Sequence, residues 1–426
     1  MNTNISNPYS PTIVNQKAVL AVLSVLFFMW GLITVLNSIL MPDLQLVFEL
    51  NYHEALLLNI AFFGTYFLVS APAGKLINHV GFRKGIVTGI AIAAAGCFTF
   101  YFAAEHRSYP LFLLALFILG SGITILQIGA NPYVALIGKK EHSAARLTLV
   151  QAFNSLGAFA AALIGAALLK MGQGKTKVEA LDPEAFKSAK AHFVELPYLF
   201  LGAILILLAI FISFTFTRLP KITTANIEPL IKESFPARKF ILQFPHTVLG
   251  AIAIFAYVGA EVAIGNFLVT KSAIEPFIEN LIPIYWGGAM LGRFIGAALL
   301  TKISPRKLIG ICALSACSLL LIFMFISTDL SSSKGIGLLL AIGLFNSILF
   351  PCIFTLAIDG LGKFSEEGAS IQVMAIVGGA VIPFFVGNFI SSASVANAFV
   401  IVVACYLFIA FFGFRGSVYE KRTNFY

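Results

Sequence analysis

The chain has too little charge to cover a water-soluble surface. Only 11% of its 426 residues are charged, whereas soluble proteins carry about 25%. Hydrophobic residues make up 59%, and the mean hydropathy is +0.93. This composition excludes an ordinary soluble globular protein and predicts a membrane protein. The formal net charge of +9 is weak support for a nucleic-acid partner, and we predict none.

Residues that build metal or nucleophilic sites are also scarce. The five cysteines lie in or beside apolar runs and show no metal-ligand spacing, so we interpret them as buried thiols and predict no structural disulfide. The six histidines fall in loops or at helix ends. A membrane enzyme would need a nucleophile with a base, or a metal cluster. We therefore predict that the protein is not an enzyme and has no cofactor.

Long apolar runs are abundant. A helix that crosses a bilayer needs about 20 apolar residues, and period-two alternation typical of a barrel is absent. The sequence therefore predicts an all-α membrane protein with twelve transmembrane helices. The candidate runs lie near 18–40, 55–78, 84–104, 109–137, 146–170, 197–218, 245–270, 281–301, 307–327, 334–359, 366–389 and 395–414.

The two halves of the chain repeat each other in the same orientation. The segment GKLINHVGFRK at 74–84 returns about 220 residues later as GAALLTKISPRK at 296–307, and Asn131-Pro132 returns as Phe350-Pro351. Parallel repeats of this kind build the two bundles of many transporters. We predict a six-helix bundle at 1–218, a cytoplasmic linker at 219–244 and a second six-helix bundle at 245–426.

The distribution of lysine and arginine predicts the orientation. If the N-terminus is cytoplasmic, most basic residues fall in the inside segments, while the short outer loops hold few. Positive charge retained inside sets membrane topology. We therefore predict a multi-pass protein of a bacterial-type inner membrane, with both termini cytoplasmic. We expect a monomer in contact with the lipid bilayer.

Neutral polar side chains recur at helical spacing inside the apolar runs. Polar groups in lipid are costly and should face the bundle interior, and amides can bracket the vicinal hydroxyls of a sugar while aromatic rings cover its apolar faces. The alternative is that such groups join helices, at about 0.6 kcal/mol each, and it stays open for several of them. Trp30 and Trp286 are likewise open between stacking on a sugar and packing or anchoring at the membrane interface. The candidates for binding a neutral sugar are Asn37, Gln127, Asn131, Gln151, Asn154, Trp286, Asn346 and Gln372.

Glu261 is the acid placed deepest in an apolar run. A carboxylate there must be protonated, paired or bound to a cation. That is the requirement for a coupling site, although a permanently protonated structural glutamate is the alternative. Ser38 could supply a further oxygen to a sodium ion held by Glu261, and no other metal site is predicted.

Motifs spread over the whole chain carry a specific family resemblance. They are FFMWG at 27–31, LNSILMP at 36–42, ANPYV at 130–134, QAFNSLG at 151–157, YVGAE at 257–261, FPCIFTLAI at 350–358 and IVGG at 376–379. With the loop at 74–84, they resemble the major facilitator superfamily and, within it, the fucose permease and glucose/galactose transporter family. The resemblance implies the major facilitator fold and alternating access. It also places sugar-facing residues at Gln127 and Gln151, and it implies an inner gate at the signature loops, with Gly74, Arg83, Lys84 and Arg306. Arg293 lies nearer the end of an apolar run, and we interpret it as a further inner-gate or topology residue.

Two departures from the family pattern concern the coupling. The fucose-permease branch carries acids where this chain has Ser38 and Gln127, and neither replacement titrates. Gln127 and Glu261 make the chain more similar to the glucose/galactose branch. Three options follow: protonation at Glu261, sodium at Glu261 with neutral oxygens, or no coupling.

The sequence thus predicts a symporter that imports a neutral hexose such as glucose, galactose or fucose with H+ or Na+. The alternatives are an uncoupled sugar uniporter and an exporter of another small polar solute.

Overall fold

The chain is helical wherever its structure is described. The computed structural model describes residues 13–47, 52–179, 183–217, 240–326, 335–392 and 395–418. Within these ranges every regular element is a helix and no strand occurs.

Each of the twelve predicted runs contains a helix, and two of the runs contain a pair. The first six helices are α1 (Ile13–Val47), α2 (Tyr52–Val80), α3 (Phe82–Glu105), α4 (Tyr109–Leu136), α5 (Ser143–Glu179) and α6 (Pro183–Thr217). The next three are α7 (Pro245–Ile274), α8 (Ile282–Leu299) and α9 (Pro305–Ile326). The tenth run forms α10 (Ile336–Asn346) and α11 (Leu349–Ala357), the eleventh forms α12 (Ser365–Met374) and α13 (Gly378–Ser392), and the last forms α14 (Val395–Phe411).

Nine membrane spans meet the length and hydropathy needed to cross a bilayer, counted over the described residues. The runs near 55–78, 146–170 and 281–301 are helical but fall outside this group. In α8 the 18-residue helix contains Arg293, four glycines and a proline, all of which lower its mean hydropathy. Helices such as α2 and α5 include residues whose side chains are not described.

The signature segment at 74–84 is more helical than its sequence suggests. We expected a loop, but α2 continues to Val80 and α3 begins at Phe82. Gly81 alone separates them, with a φ of +83°. Only glycine adopts this conformation without steric cost, so it permits a one-residue turn.

The polar segment near 170–196, which separates the predicted runs at 146–170 and 197–218, is also largely helical. It is mostly occupied by the end of α5 and the beginning of α6. The segment is rich in alanine, lysine and glutamate, which have high helix propensity.

The break between α10 and α11 follows from a proline. Pro351 has no backbone N–H, so the carbonyl of Ser347, four residues earlier, loses its helical donor. The helix stops at Asn346 and resumes at Leu349. This leaves a carbonyl in the tenth span that must find another partner.

The described helices pack into two compact units. The small unit contains the described residues of segments 25–129 and 153–218, and the large unit contains those of segments 1–24, 130–152 and 219–426. The predicted bundles at 1–218 and 245–426 stay a prediction, and residues 219–239 of the predicted linker at 219–244 lie outside the described residues.

Each unit has its own apolar core. In the small unit α3 packs along α6, and the rings of Phe100 and Tyr198 stack at 4.3 Å. In the large unit α7 is central, contacting α11, α13 and α14. A Cβ on Gly378 would collide with the carbonyl oxygen of Phe255, so glycine permits the close approach of α13 to α7.

Candidate functional site

Asn131 and Gln151 form a buried amide pair in the large unit. Gln151 Nε2 donates to Asn131 Oδ1 at 3.3 Å, and neither residue is more than 5% exposed. Asn131 Nδ2 is buried and has no hydrogen-bond partner among the residues that the structure describes. A buried donor without an acceptor costs free energy. The pair therefore presents a donor that a ligand hydroxyl could satisfy.

Glu261 lies on α7 beside one neutral donor and one cation. The hydroxyl of Tyr257, one turn earlier, donates to Glu261 Oε1 at 2.8 Å. The positive charge of the Arg293 guanidinium on α8 also acts on the Glu261 carboxylate. Tyr257 is fully buried, whereas Glu261 is partly exposed. This arrangement can hold the acid charged in one state and neutral in another.

Asn346 is the centre of a buried network in the large unit. Its Nδ2 donates to the Tyr285 hydroxyl at 3.0 Å, and its Oδ1 accepts from the Tyr406 hydroxyl at 2.9 Å. Tyr285 in turn donates to the backbone carbonyl of Glu261 at 3.3 Å. Asn346 is 0% exposed. The network joins α7, α8, α10 and α14, and its geometry fits the helix-joining alternative for Asn346 better than sugar contact.

Arg293 satisfies the carbonyl that Pro351 leaves without a helical donor. Its Nε donates to the Ser347 carbonyl at 3.2 Å. Its Nη1 donates to the backbone carbonyl of Gln151, also at 3.2 Å. One planar guanidinium thus joins the break in the tenth span to α5, a two-point contact that lysine could not reproduce.

Gln372 ties α12 to the beginning of α7. Its Nε2 donates to the Thr247 carbonyl at 2.8 Å, and the side chain is 0% exposed. Gln372 Oε1 is buried without a hydrogen-bond partner among the described residues. Its donor is therefore used between helices, while its acceptor is available.

In the small unit, the predicted sugar residues also have partners in the protein. Gln127 Nε2 donates to the Tyr66 hydroxyl at 3.2 Å. Asn154 Nδ2 donates to the carbonyl of Phe27 at 3.0 Å and so joins α5 to α1. Trp30 lines an apolar pocket together with residues of α3, α4 and α6, which supports packing and not sugar stacking for this ring.

Three further candidates are less constrained. Trp286 is 47% exposed, and its ring meets that of buried Tyr285 edge-on at 5.2 Å. The side chains of Asn37 and Ser38 lie outside the described residues. The sodium shell that combines them with Glu261 therefore stays a prediction.

Apart from Arg293, which lies in the interior of α8, the predicted inner-gate residues lie at or near helix ends. Gly74 is buried near the end of α2, while Arg83 and Lys84 begin α3, with Lys84 exposed. Arg306, in the first turn of α9, donates from Nη2 to the Ser417 carbonyl at 3.1 Å. Their role as a gate stays a prediction.

An ion pair that the sequence did not predict also lies in the large unit. Lys140 Nζ is 2.6 Å from Asp359 Oδ1, and the carbonyl of Asp359 is 2.9 Å from His246 Nε2. Lys140 follows α4, and Asp359 follows α11. Only the positions of the two charges at run ends could have suggested the pair.

The sequence also missed the two tyrosines that pair with the predicted amide Asn346. Tyr285 and Tyr406 lie inside apolar runs, and helical spacing alone gives no sign of their cross-helix partner. Among the described residues, no group of histidine, cysteine or acidic side chains could hold a metal ion.

Comparisons with known proteins agree over almost the whole chain. The model of the Major Facilitator Superfamily matches residues 19–371. A glucose/galactose transporter of Brucella abortus is 43% identical over 411 residues, which cover 95% of each chain. The L-fucose-proton symporter of Escherichia coli is 33% identical, covering 95% of this chain and 94% of its own.

A solved structure gives the same fold. The major facilitator superfamily transporter FucP, crystallised in the outward conformation, superposes with a TM-score of 0.84 at 30% identity and covers 95% of this chain. The predicted all-α major facilitator fold and the predicted family resemblance are therefore confirmed. The chain belongs to the Major Facilitator Superfamily and is a multi-pass membrane transporter, not an enzyme.

Proposed function

We propose that the protein imports a neutral hexose, such as glucose, galactose or fucose, by alternating access, together with H+ or Na+. The observation that carries this proposal is the 43% identity to a glucose/galactose transporter over 95% of both chains. In transporters of parallel-repeat design, substrate and coupling-ion sites lie near the middle of the membrane.

The chemistry of the buried amides fits an uncharged polyol. Asn131 Nδ2 lacks an acceptor and Gln372 Oε1 lacks a donor within the described part of the chain. A hydroxyl group is both donor and acceptor, so sugar hydroxyls could bond to the unpaired donor of Asn131 and to the unpaired acceptor of Gln372. An anionic substrate would instead require a cluster of buried cations.

Glu261 is the residue through which we expect the cation to act. Its carboxylate oxygen Oε1 accepts a hydrogen bond from the Tyr257 hydroxyl at 2.8 Å, and the carboxylate interacts with the charge of Arg293. Binding of a proton or a sodium ion would neutralise the Glu261 carboxylate. In the empty carrier this carboxylate would be charged and would interact differently with its neighbours. A ligand shifts a conformational equilibrium only through such differences.

One sequence feature favours the uncoupled alternative. Ser38 and Gln127 stand where the fucose-permease branch carries its acids, and Gln127 donates to the hydroxyl of Tyr66. A sugar uniporter is therefore the second candidate, with export of another small polar solute as the third. We propose that both termini are cytoplasmic, because the basic residues concentrate in the segments that would then lie inside. The bacterial relatives support a bacterial-type inner membrane, and we propose a monomer.

Uptake into proteoliposomes tests the proposal. Radiolabelled glucose, galactose, mannose and fucose are offered separately under an imposed pH gradient, an imposed sodium gradient or neither. Accumulation above the external concentration of at least one sugar, with one gradient only, is the expected result. Equilibration without accumulation under every gradient would favour the uniporter, and no sugar uptake at all would refute hexose transport.

A further inference from the structure

The two hydrogen bonds of Arg293 join the tenth span to α5. At least one of them must break if these two elements move apart. Ser347 belongs to the break between α10 and α11, and Gln151 belongs to α5. The Ser347 carbonyl needs this donor because Pro351 supplies no N–H. Hydrogen bonds from a charged donor are about twice as strong as neutral ones. Arg293 is therefore well placed to act as a latch.

The same guanidinium is under the influence of Glu261. Its positive charge acts on the Glu261 carboxylate. A second, hydrogen-bonded route runs from the Glu261 carbonyl through Tyr285 to Asn346, the residue next to Ser347. Among the residues that the structure describes, the other titratable groups around Glu261 are Tyr257 on its own helix, with Tyr285 and Tyr406 on α8 and α14. Within this described set, Arg293 is the cation that acts on Glu261.

We propose that Arg293 is the positioning residue that reports the charge of Glu261 to this latch. A charged carboxylate competes with the two carbonyls for the guanidinium and weakens the latch. A neutralised Glu261 leaves the guanidinium on Ser347 and Gln151 and strengthens it. This inference rests on the coupling role proposed for Glu261, and it specifies how that role is transmitted.

The sign of this effect fits symport. A carrier that holds the cation without sugar must not change conformation, or the gradient would leak. Neutralising Glu261 tightens the latch and blocks that leak. Sugar that engages the Asn131–Gln151 pair would then disturb the latch at Gln151, whose carbonyl accepts from Arg293. The empty carrier, with Glu261 charged, has the weaker latch and can return.

The ion pair between Lys140 and Asp359 supplies a local reporter. The two side chains approach to 2.6 Å in the same compact unit, one after α4 and the other after α11. Cysteines introduced at both positions should be joined by a short bifunctional thiol reagent while the latch is closed. The wild-type protein, which lacks the two introduced cysteines, gives the background cross-linking from the five native thiols.

The experiment measures the rate of cross-linking in purified K140C/D359C protein without sugar. The E261Q variant should cross-link about tenfold faster than its parent, and R293Q about tenfold slower, as expected for a charged hydrogen bond. In the R293Q background, E261Q should have no further effect. The matched control is R415Q at an exposed arginine, which should leave the rate unchanged.

The R293K variant tests whether a slower cross-linking rate in R293Q is caused by misfolding. It keeps the charge but cannot hold both carbonyls, so it should also slow cross-linking and reduce the E261Q effect. An equal E261Q effect with and without Arg293, or no E261Q effect in the parent, would overturn the latch. Failure of the proposed function is distinguishable, because it appears as missing sugar accumulation while the sugar-free cross-linking result still stands.

Discussion

The Asn346 network provides a prediction that separates a structural amide from a sugar contact. In the Asn346→Leu variant, the Tyr406 hydroxyl loses its acceptor at 2.9 Å, and no other partner for it is found among the described residues. Tyr285 keeps its bond to the Glu261 carbonyl. The substitution preserves approximate size, so the cost should come mainly from the unpaired hydroxyl.

The magnitude follows from two references. A buried polar group left unsatisfied costs about 1–3 kcal/mol, whereas hydrogen bonds between membrane helices average about 0.6 kcal/mol with a maximum near 1.7. We expect a loss of about 1–2 kcal/mol for Asn346→Leu. Adding Tyr406→Phe removes the orphaned hydroxyl, so the double variant should lose about 1 kcal/mol less than the sum of the single variants.

Thermal unfolding in detergent measures this effect with the protein's own thiols. A thiol-reactive fluorophore reports unfolding because most of the native cysteines are buried: Cys97, Cys317, Cys352 and Cys405. Apparent Tm values are compared at one heating rate, since membrane proteins often unfold irreversibly. The single variants should unfold a few degrees earlier than wild type, and the double variant should recover part of the loss.

Sugar exchange measured on the same variants completes the test. The KM for exchange should stay within about twofold of wild type in Asn346→Leu, because a helix-joining amide makes no substrate contact. A large rise in KM with an unchanged Tm would refute the network interpretation and return Asn346 to the sugar site. Additive losses in the double variant would refute the coupling to Tyr406.

Two further predictions concern packing and charge. Gly378→Ala should sharply reduce the yield of folded protein, because a Cβ there collides with the Phe255 carbonyl oxygen, whereas Gly387→Ala, with nothing within 4 Å, should behave as wild type on gel filtration; equal yields would contradict the close α7–α13 contact. Lys140→Asp should slow transport, and adding Asp359→Lys should restore most of the rate because the pair at 2.6 Å is re-formed with its signs exchanged. No rescue in initial uptake rates would show that the pair has no role in the transport cycle.

The architecture could be read from the sequence because membrane burial imposes simple periodicities. About 20 apolar residues per span and the repeat at 74–84 and 296–307 were enough to predict twelve helices. Tyr257 and Glu261 are four residues apart in the motif YVGAE, a spacing that puts both on one face of a helix, and the structure joins them by a hydrogen bond. These features depend on residues close together in the chain.

Cross-helix partners could not be read in the same way. Asn346 bonds to tyrosines about 60 residues away on either side, and an apolar run gives no sign of which face its tyrosine presents. Pro351 did carry a usable signal, since it leaves the Ser347 carbonyl without a helical donor. Its replacement donor, Arg293, is set by the packing of α8 against α10, which only the structure reveals.

The signature segments illustrate a different limit. Their family resemblance predicts a gate, but the resemblance does not say where a helix ends. The one-residue turn at Gly81 depends on a positive φ, and the segment before it is an extension of α2. The predicted roles of Gly74, Arg83 and Lys84 therefore need functional tests.

The most direct test of the central claim compares two modes of transport in Glu261→Gln proteoliposomes. Counterflow exchanges labelled for unlabelled sugar without net cation movement, whereas accumulation under a pH or sodium gradient requires coupling. If Glu261 couples the cation to hexose import, the variant retains counterflow at near the wild-type rate and loses accumulation. Wild-type accumulation in the variant would contradict the account.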